Sequence, residues 1–174
     1  MRHCGDCNLC CKLLPVRALG KGAGERCRHQ RHTGCRVYHK QGMPPECAIW
    51  NCRWLVNDDT AELSRPDRSH YVIDIMPDFV EAGDDRRPDA PRQTIEVVQI
   101  WVDPKYPDAH KDPALRAYLE RRALEGKIGL IRYNASDAFA LVAPSLTAER
   151  EWLEVHGPSI KRTHTADEIL QALA

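Results

Sequence analysis

Eight cysteines lie in the first third of the 174-residue chain, and four of them, Cys4, Cys7, Cys10 and Cys11, fall inside the eight residues CGDCNLCC. Thiols at this density serve one of three chemistries: a disulfide framework, a thiolate site for zinc, or the ligand set of an iron–sulfur cluster. A C-x2-C step lets two sulfurs reach one metal while the turn between them aims backbone N–H groups at the thiolates. Cys4, Cys7 and Cys10 make two such steps in succession. Zinc more often takes separated C-x2-C pairs. Three ligands at this pitch, with a fourth from a distance, suit a cubane cluster, so the run tilts the choice toward iron.

Cys11 breaks the spacing. Adjacent side chains diverge, so Cys10 and Cys11 face different sites or one of them is no ligand. Cys27, Cys35, Cys47 and Cys52 supply four more thiols. All eight cysteines are therefore candidate metal ligands, enough for two four-thiolate sites or for a 4Fe-4S cluster with a structural zinc, and spacing leaves the partition open. His29 and His32, between Cys27 and Cys35, His39 just beyond and His3 beside Cys4 read as exposed or hydrogen-bonded to thiolates, because the cysteines alone fill two sites.

Residues 1–57 hold ten Lys and Arg against three Asp and Glu, and the remainder holds 15 against 22, so a neutral total hides a basic head and an acidic body. A basic head is one mark of a nucleic-acid surface. Compensation of thiolate charge by Arg26, Arg28, Arg36 and Arg53 explains it with fewer assumptions, so nucleic acid is disfavoured as a partner. A protein partner of unidentified kind stays open. No apolar stretch is long enough to span a bilayer and the N-terminus lacks the apolar run of a secretion signal, so a cytoplasmic chain without a membrane partner is expected. A reducing compartment keeps thiols free, which ranks metal above disulfides.

The elements that must hold these thiols are not ordinary ones. Residues 1–57 show little periodic hydrophobicity and are broken by glycines and prolines, so an irregular domain organised by metal is expected, with short helical pieces around 7–14 and 48–56. The polar DDTAELSRPDRS at 58–69 reads as a connector. Residues 70–174 read as an α+β domain, a small, largely antiparallel sheet of four or so strands with one or two packed helices. Strands are expected at 70–76, 94–102, 127–133 and 138–143, the last two a hairpin about the turn NASD. A charged loop fills 83–93, a helix spans 112–126 behind an Asp112 cap, and Thr165 with Glu168 begins a terminal helix. Asp103, Asp108, His110 and Asp112 lie in a proline-rich polar turn and are read as solvated, not as a second metal site. Trp101, Tyr106, Tyr118 and Tyr133 read as core and edge aromatics and not as a base-stacking platform.

The order C-x2-C-x2-C-C, Cys27, GCRVY with Cys35 and Tyr38, then PPECAIWNCRWL with Cys47 and Cys52, resembles the bacterial YkgJ-like CxxCxxCC family over residues 4–55. The resemblance implies a zinc- or iron-chelating segment. Flagellin lysine methylases carry a similar cysteine cluster, which would imply an iron–sulfur centre in methyl transfer. The chain departs from the pattern where the family has an arginine before the last cysteine pair, because Gln41 stands there with two extra residues before Cys47. The expectation is a protein whose cysteines hold an iron–sulfur cluster or zinc for redox or cluster-assisted group transfer. A zinc-stapled binding module and a metal storage or delivery protein are the alternatives, and no residue is assigned a catalytic role.

Overall fold

The computed structural model describes residues 2–82, 89, 91–156 and 160–162. Its centre is β3 (Gln93–Val102), whose last six residues are buried without a break. Such a run of β-branched and aromatic residues suits a strand covered on both faces. β1 (Tyr71–Ile73) and β2 (Asp78–Ala82) pair antiparallel with one edge of β3, Tyr71 opposite Val102 and Ala82 opposite Gln93. Asp74 N–H still donates to Gln99 O at 2.9 Å, while Asp78 already faces Val97, so Ile75, Met76 and Pro77 bulge across the length of one β3 residue.

β4 (Ile128–Arg132) lies parallel on the opposite edge of β3. A parallel neighbour requires a crossover, and α5 (Pro113–Ala123) supplies it. Asp112 caps α5 by accepting the Ala114 N–H at 3.0 Å, Pro113 opens the first turn, and Leu115, Tyr118, Leu119 and Ala123 form the buried stripe. β5 (Ala138–Val142) returns as a hairpin on β4, β6 (Leu153–Val155) follows it, and β7 (Ile160–Arg162) pairs with β2. The order is β6-β5-β4-β3-β2-β7, with β1 also on β3, seven strands in a mixed sheet with few helices.

The four expected strands are β1, β3, β4 and β5; β2, β6 and β7 add to them. β2 and β6 are short and carry partly exposed polar positions, so only pairing with a neighbour declares them. The 165–174 helix lies outside the described residues, as does most of the 83–93 loop. Among the described residues no helix is long and apolar enough to cross a membrane.

Strand alternation divides the core. Ile73, Val98, Ile100, Val102, Ile131 and Leu141 face α5, and together with Leu115, Tyr118 and Leu119 they form one buried cluster. On the other face Val72 and Trp101 pack against Leu9, Leu13 and Cys52 of the cysteine segment. The stretch 58–69 is packed on its surroundings: Thr60, Leu63 and Pro66 are buried and Trp54 Nε1–H donates to Leu63 O at 3.0 Å.

Candidate metal centre

α1 (Leu9–Leu13) buries Leu9 and Leu13, one helical turn apart, against the sheet. Successive helical residues point about 100° apart, so with the leucines seated Cys10 and Cys11 leave the helix in different directions. Lys12 completes the seat by pairing with buried Asp103 at the end of β3. The turn 4–7 closes through Cys7 N–H to Cys4 O at 2.9 Å, with Gly5 at φ 52. Gly34 sits on that turn at φ 68: its N–H donates to Asp6 O at 3.0 Å, and a Cβ there would lie 3.2 Å from Gly5 O. Only glycine combines that dihedral with that approach, and the contact carries Cys35 to the first cysteine run. Cys27 N–H donates to Cys11 O at 3.0 Å, which fastens the 27–36 loop to α1.

Two short helices replace the single piece expected around 48–56. α2 (Pro45–Ile49) carries Cys47, and α3 (Arg53–Val56) begins after Cys52. The break falls where Cys52 forms an antiparallel bridge with Asp74. Trp50 Nε1–H donates to Asp74 Oδ1 at 2.8 Å, Gln99 donates to Oδ2 at 3.3 Å, and Arg132 donates to Gln99 Oε1 at 3.2 Å. Asp74, Gln99 and Arg132 are all buried, so this chain of polar contacts ties the last cysteine to the sheet.

All eight cysteines are free thiols; Cys27 and Cys52 are buried and the rest half-buried. Their mutual electrostatics fall into two neighbourhoods. Cys10 feels Cys4 and Cys7, and Cys52 feels the same two. Cys47 feels Cys11, Cys27 and Cys35, and Cys35 feels Cys11 and Cys27. The neighbourhoods meet at the adjacent pair: the Cys10 thiol hydrogen-bonds Cys11, which pushes Cys10 up and Cys11 down, and Cys4 also feels Cys11. Burial raises Cys4, Cys7 and Cys35, and pushes Cys47 to about 11 and Cys52 to about 12.

Backbone N–H groups nevertheless aim at sulfur. His29 N–H donates to Cys27 Sγ at 3.4 Å, Leu9 N–H to Cys7 and Val37 N–H to Cys35, each two residues beyond its cysteine. The Tyr38 hydroxyl hydrogen-bonds Cys4, and burial, with the nearby thiols adding to it, pushes Tyr38 to about 12. The cations that favour thiolate at Cys11 and Cys4 are Lys21 and Arg65, neither singled out by the sequence. Lys21 is buried, donates to Leu14 O and to Gly22 O at 3.2 Å, and is brought there by the antiparallel bridge of Val16 with Lys21. Its only sequence signal is Gly20, left-handed at φ 60, which turns the chain back on itself. Arg26, Arg28 and Arg36 are exposed, and Arg53 lies 4.0 Å from Asp59.

His3, His32 and His39 are exposed and His29 half-buried. The polar turn is not solvated throughout. His110 is buried, its Nδ1 2.8 Å from Pro107 O and its Nε2 3.3 Å from Glu154, while Asp103 holds Lys12 and Asp112 accepts the Tyr71 hydroxyl at 2.8 Å. Of Asp103, Asp108, His110 and Asp112, Asp108 alone is exposed, paired with Lys111 at 2.7 Å.

Among the described residues no group of three or more His, Cys, Asp and Glu is arranged to hold a metal ion. The thiols are neighbours without a closed cage. As a donor set they are all sulfur, which suits zinc or an iron–sulfur cluster and suits magnesium or calcium poorly. Compared with family models, curated proteins and solved structures, the chain matches none.

Proposed function

We propose that the protein binds metal through two four-thiolate sets, Cys4, Cys7, Cys10 and Cys52 in one and Cys11, Cys27, Cys35 and Cys47 in the other. The supporting observation is that Cys10 and Cys52 interact with Cys4 and Cys7 while Cys35 and Cys47 interact with Cys11 and Cys27, the two neighbourhoods touching at the Cys10–Cys11 pair. The N–H groups directed at Cys7, Cys27 and Cys35 agree with it, since such donors stabilise metal-bound thiolate. The first set has the tight C-x2-C-x2-C pitch with a remote fourth cysteine that suits a 4Fe-4S cluster; the second has the dispersed spacing of a structural zinc site. When bound, the cluster supplies one-electron or cluster-assisted group-transfer chemistry and the zinc supplies folding energy. The chain's own part is to seat α1 on the sheet through Leu9 and Leu13 and to crowd the thiols into partly buried surroundings.

Anaerobic purification followed by iron, sulfide and zinc analysis tests this. Matching iron and sulfide with one zinc is the expected result. Cys4→Ser should remove the iron and spare the zinc, and Cys11→Ser should do the reverse. A metal-free protein sinks the proposal, and loss of both metals in each variant sinks the partition.

A further inference from the structure

An open concavity of about 660 Å³ lies between α4 (Pro66–Ser69) and the turn after β3, lined in part by Arg68, His70, Lys105, Tyr106, Asp108 and Lys111. His70 ends α4 in the left-handed region at φ 62, and its N–H donates to Pro66 O at 2.8 Å. Such a backbone is uncommon for a residue with a side chain. Here it accompanies an imidazole laid flat on Tyr106, centroids 3.6 Å apart and planes 7° from parallel. Tyr106 is still 49% exposed, so the stack ends at solvent.

The charges around the stack are unequal in their commitments. Asp108 is paired with Lys111 at 2.7 Å, and Asp112 accepts the Tyr71 hydroxyl at 2.8 Å and the Ala114 N–H at 3.0 Å. Arg68 and Lys105 are exposed and make no ion pair among the described residues. A flat ring face beside two exposed cations, of which Arg68 also acts on the Asp67 carboxylate, is complementary to a flat ring that carries an anion. We propose that this concavity binds a phosphate ester of a heteroaromatic ring, a mononucleotide in size, with the ring extending the His70–Tyr106 stack and the phosphate on Arg68 and Lys105. No cysteine lines the concavity.

Calorimetric titration of the full-length purified protein with AMP, adenosine, inorganic phosphate and an oligoadenylate tests it. AMP should bind, with adenosine and phosphate each at least about tenfold weaker, because each lacks half of the complement. Tyr106→Ala and Lys105→Gln should each weaken AMP about tenfold, and Tyr106→Phe should retain it. Both side chains are exposed, so an unchanged circular dichroism spectrum is expected for the variants. The proposal is overturned if AMP does not bind, if phosphate alone binds as tightly, or if Tyr106→Ala changes nothing. An oligoadenylate that binds tighter with each added nucleotide overturns it as well, in favour of a single strand.

Discussion

The two halves of the molecule are held by different forces. The sheet half closes its hydrogen bonds strand to strand and takes Ile100, Val102, Leu115, Tyr118 and Ile131 wholly out of solvent. Residues 2–57 have three helices of four or five residues, and their buried apolar residues are Leu9, Leu13, Val16, Cys27, Pro44 and Cys52. Isolated helices of that length are unstable in water. So few buried side chains cannot offset the ordering of more than fifty residues, which costs about 1–2 kcal/mol each. Part of the deficit is met where α1 borrows the face of Val72 and Trp101. Under the proposed function, metal on the thiols supplies the rest.

Stripping metal tests this contrast most severely. Metal binding in thiolate-stapled domains carries about 10–16 kcal/mol of folding energy. A chelator under reducing conditions should abolish hydrogen-exchange protection in residues 2–57 and leave it in β3, β4 and β5. Simultaneous loss in both halves would show that the sheet, too, leans on the cysteines. Leu141→Ala, at a site only 1% exposed, probes the opposite half. It should cost about 2–5 kcal/mol in urea unfolding and leave metal content unchanged; a loss of metal would break the division of labour.

Smaller changes probe the join. Lys12→Met leaves Asp103 buried with the Lys105 N–H at 3.0 Å as its remaining partner. That should cost about 1–3 kcal/mol and speed proteolysis of the cysteine segment more than that of the sheet. An equal response in both halves would mean that Lys12 does not join them. Gly34→Ala forces a side chain into the left-handed region 3.2 Å from Gly5 O. A penalty of about 1–2 kcal/mol is expected, read as weaker metal retention with the sheet's urea midpoint unmoved.

Sequence signals carried the sheet unevenly. The β-branched run of β3, the hairpin of β4 and β5, and α5 behind Asp112 and Pro113 are each declared by residues adjacent in the chain. β2 and β6 are not, since DFVEA and LEV alternate too briefly to stand out before a partner strand is present. In the connector, polarity hides single buried residues: Thr60 and Leu63 lie in a stretch that is otherwise mostly acidic and basic. Tyr106 was legible as an edge aromatic, but its stack on His70 joins residues 36 positions apart and left no trace in spacing.

Among the cysteines the same line can be drawn. Sequence by itself determined that eight thiols concentrate in the first third and that Cys10 and Cys11, as neighbours, cannot point the same way, because both follow from order and helical pitch. Tertiary structure alone decided which thiols are neighbours, how Lys21 and Arg65 come to them, and that Trp50 and Cys52 are anchored to Asp74. These contacts depend on the sheet face that seats α1 and on the β1–β3 register that brings Asp74 beside Gln99. Both arise from pairing between strands far apart in the chain, which no local pattern encodes.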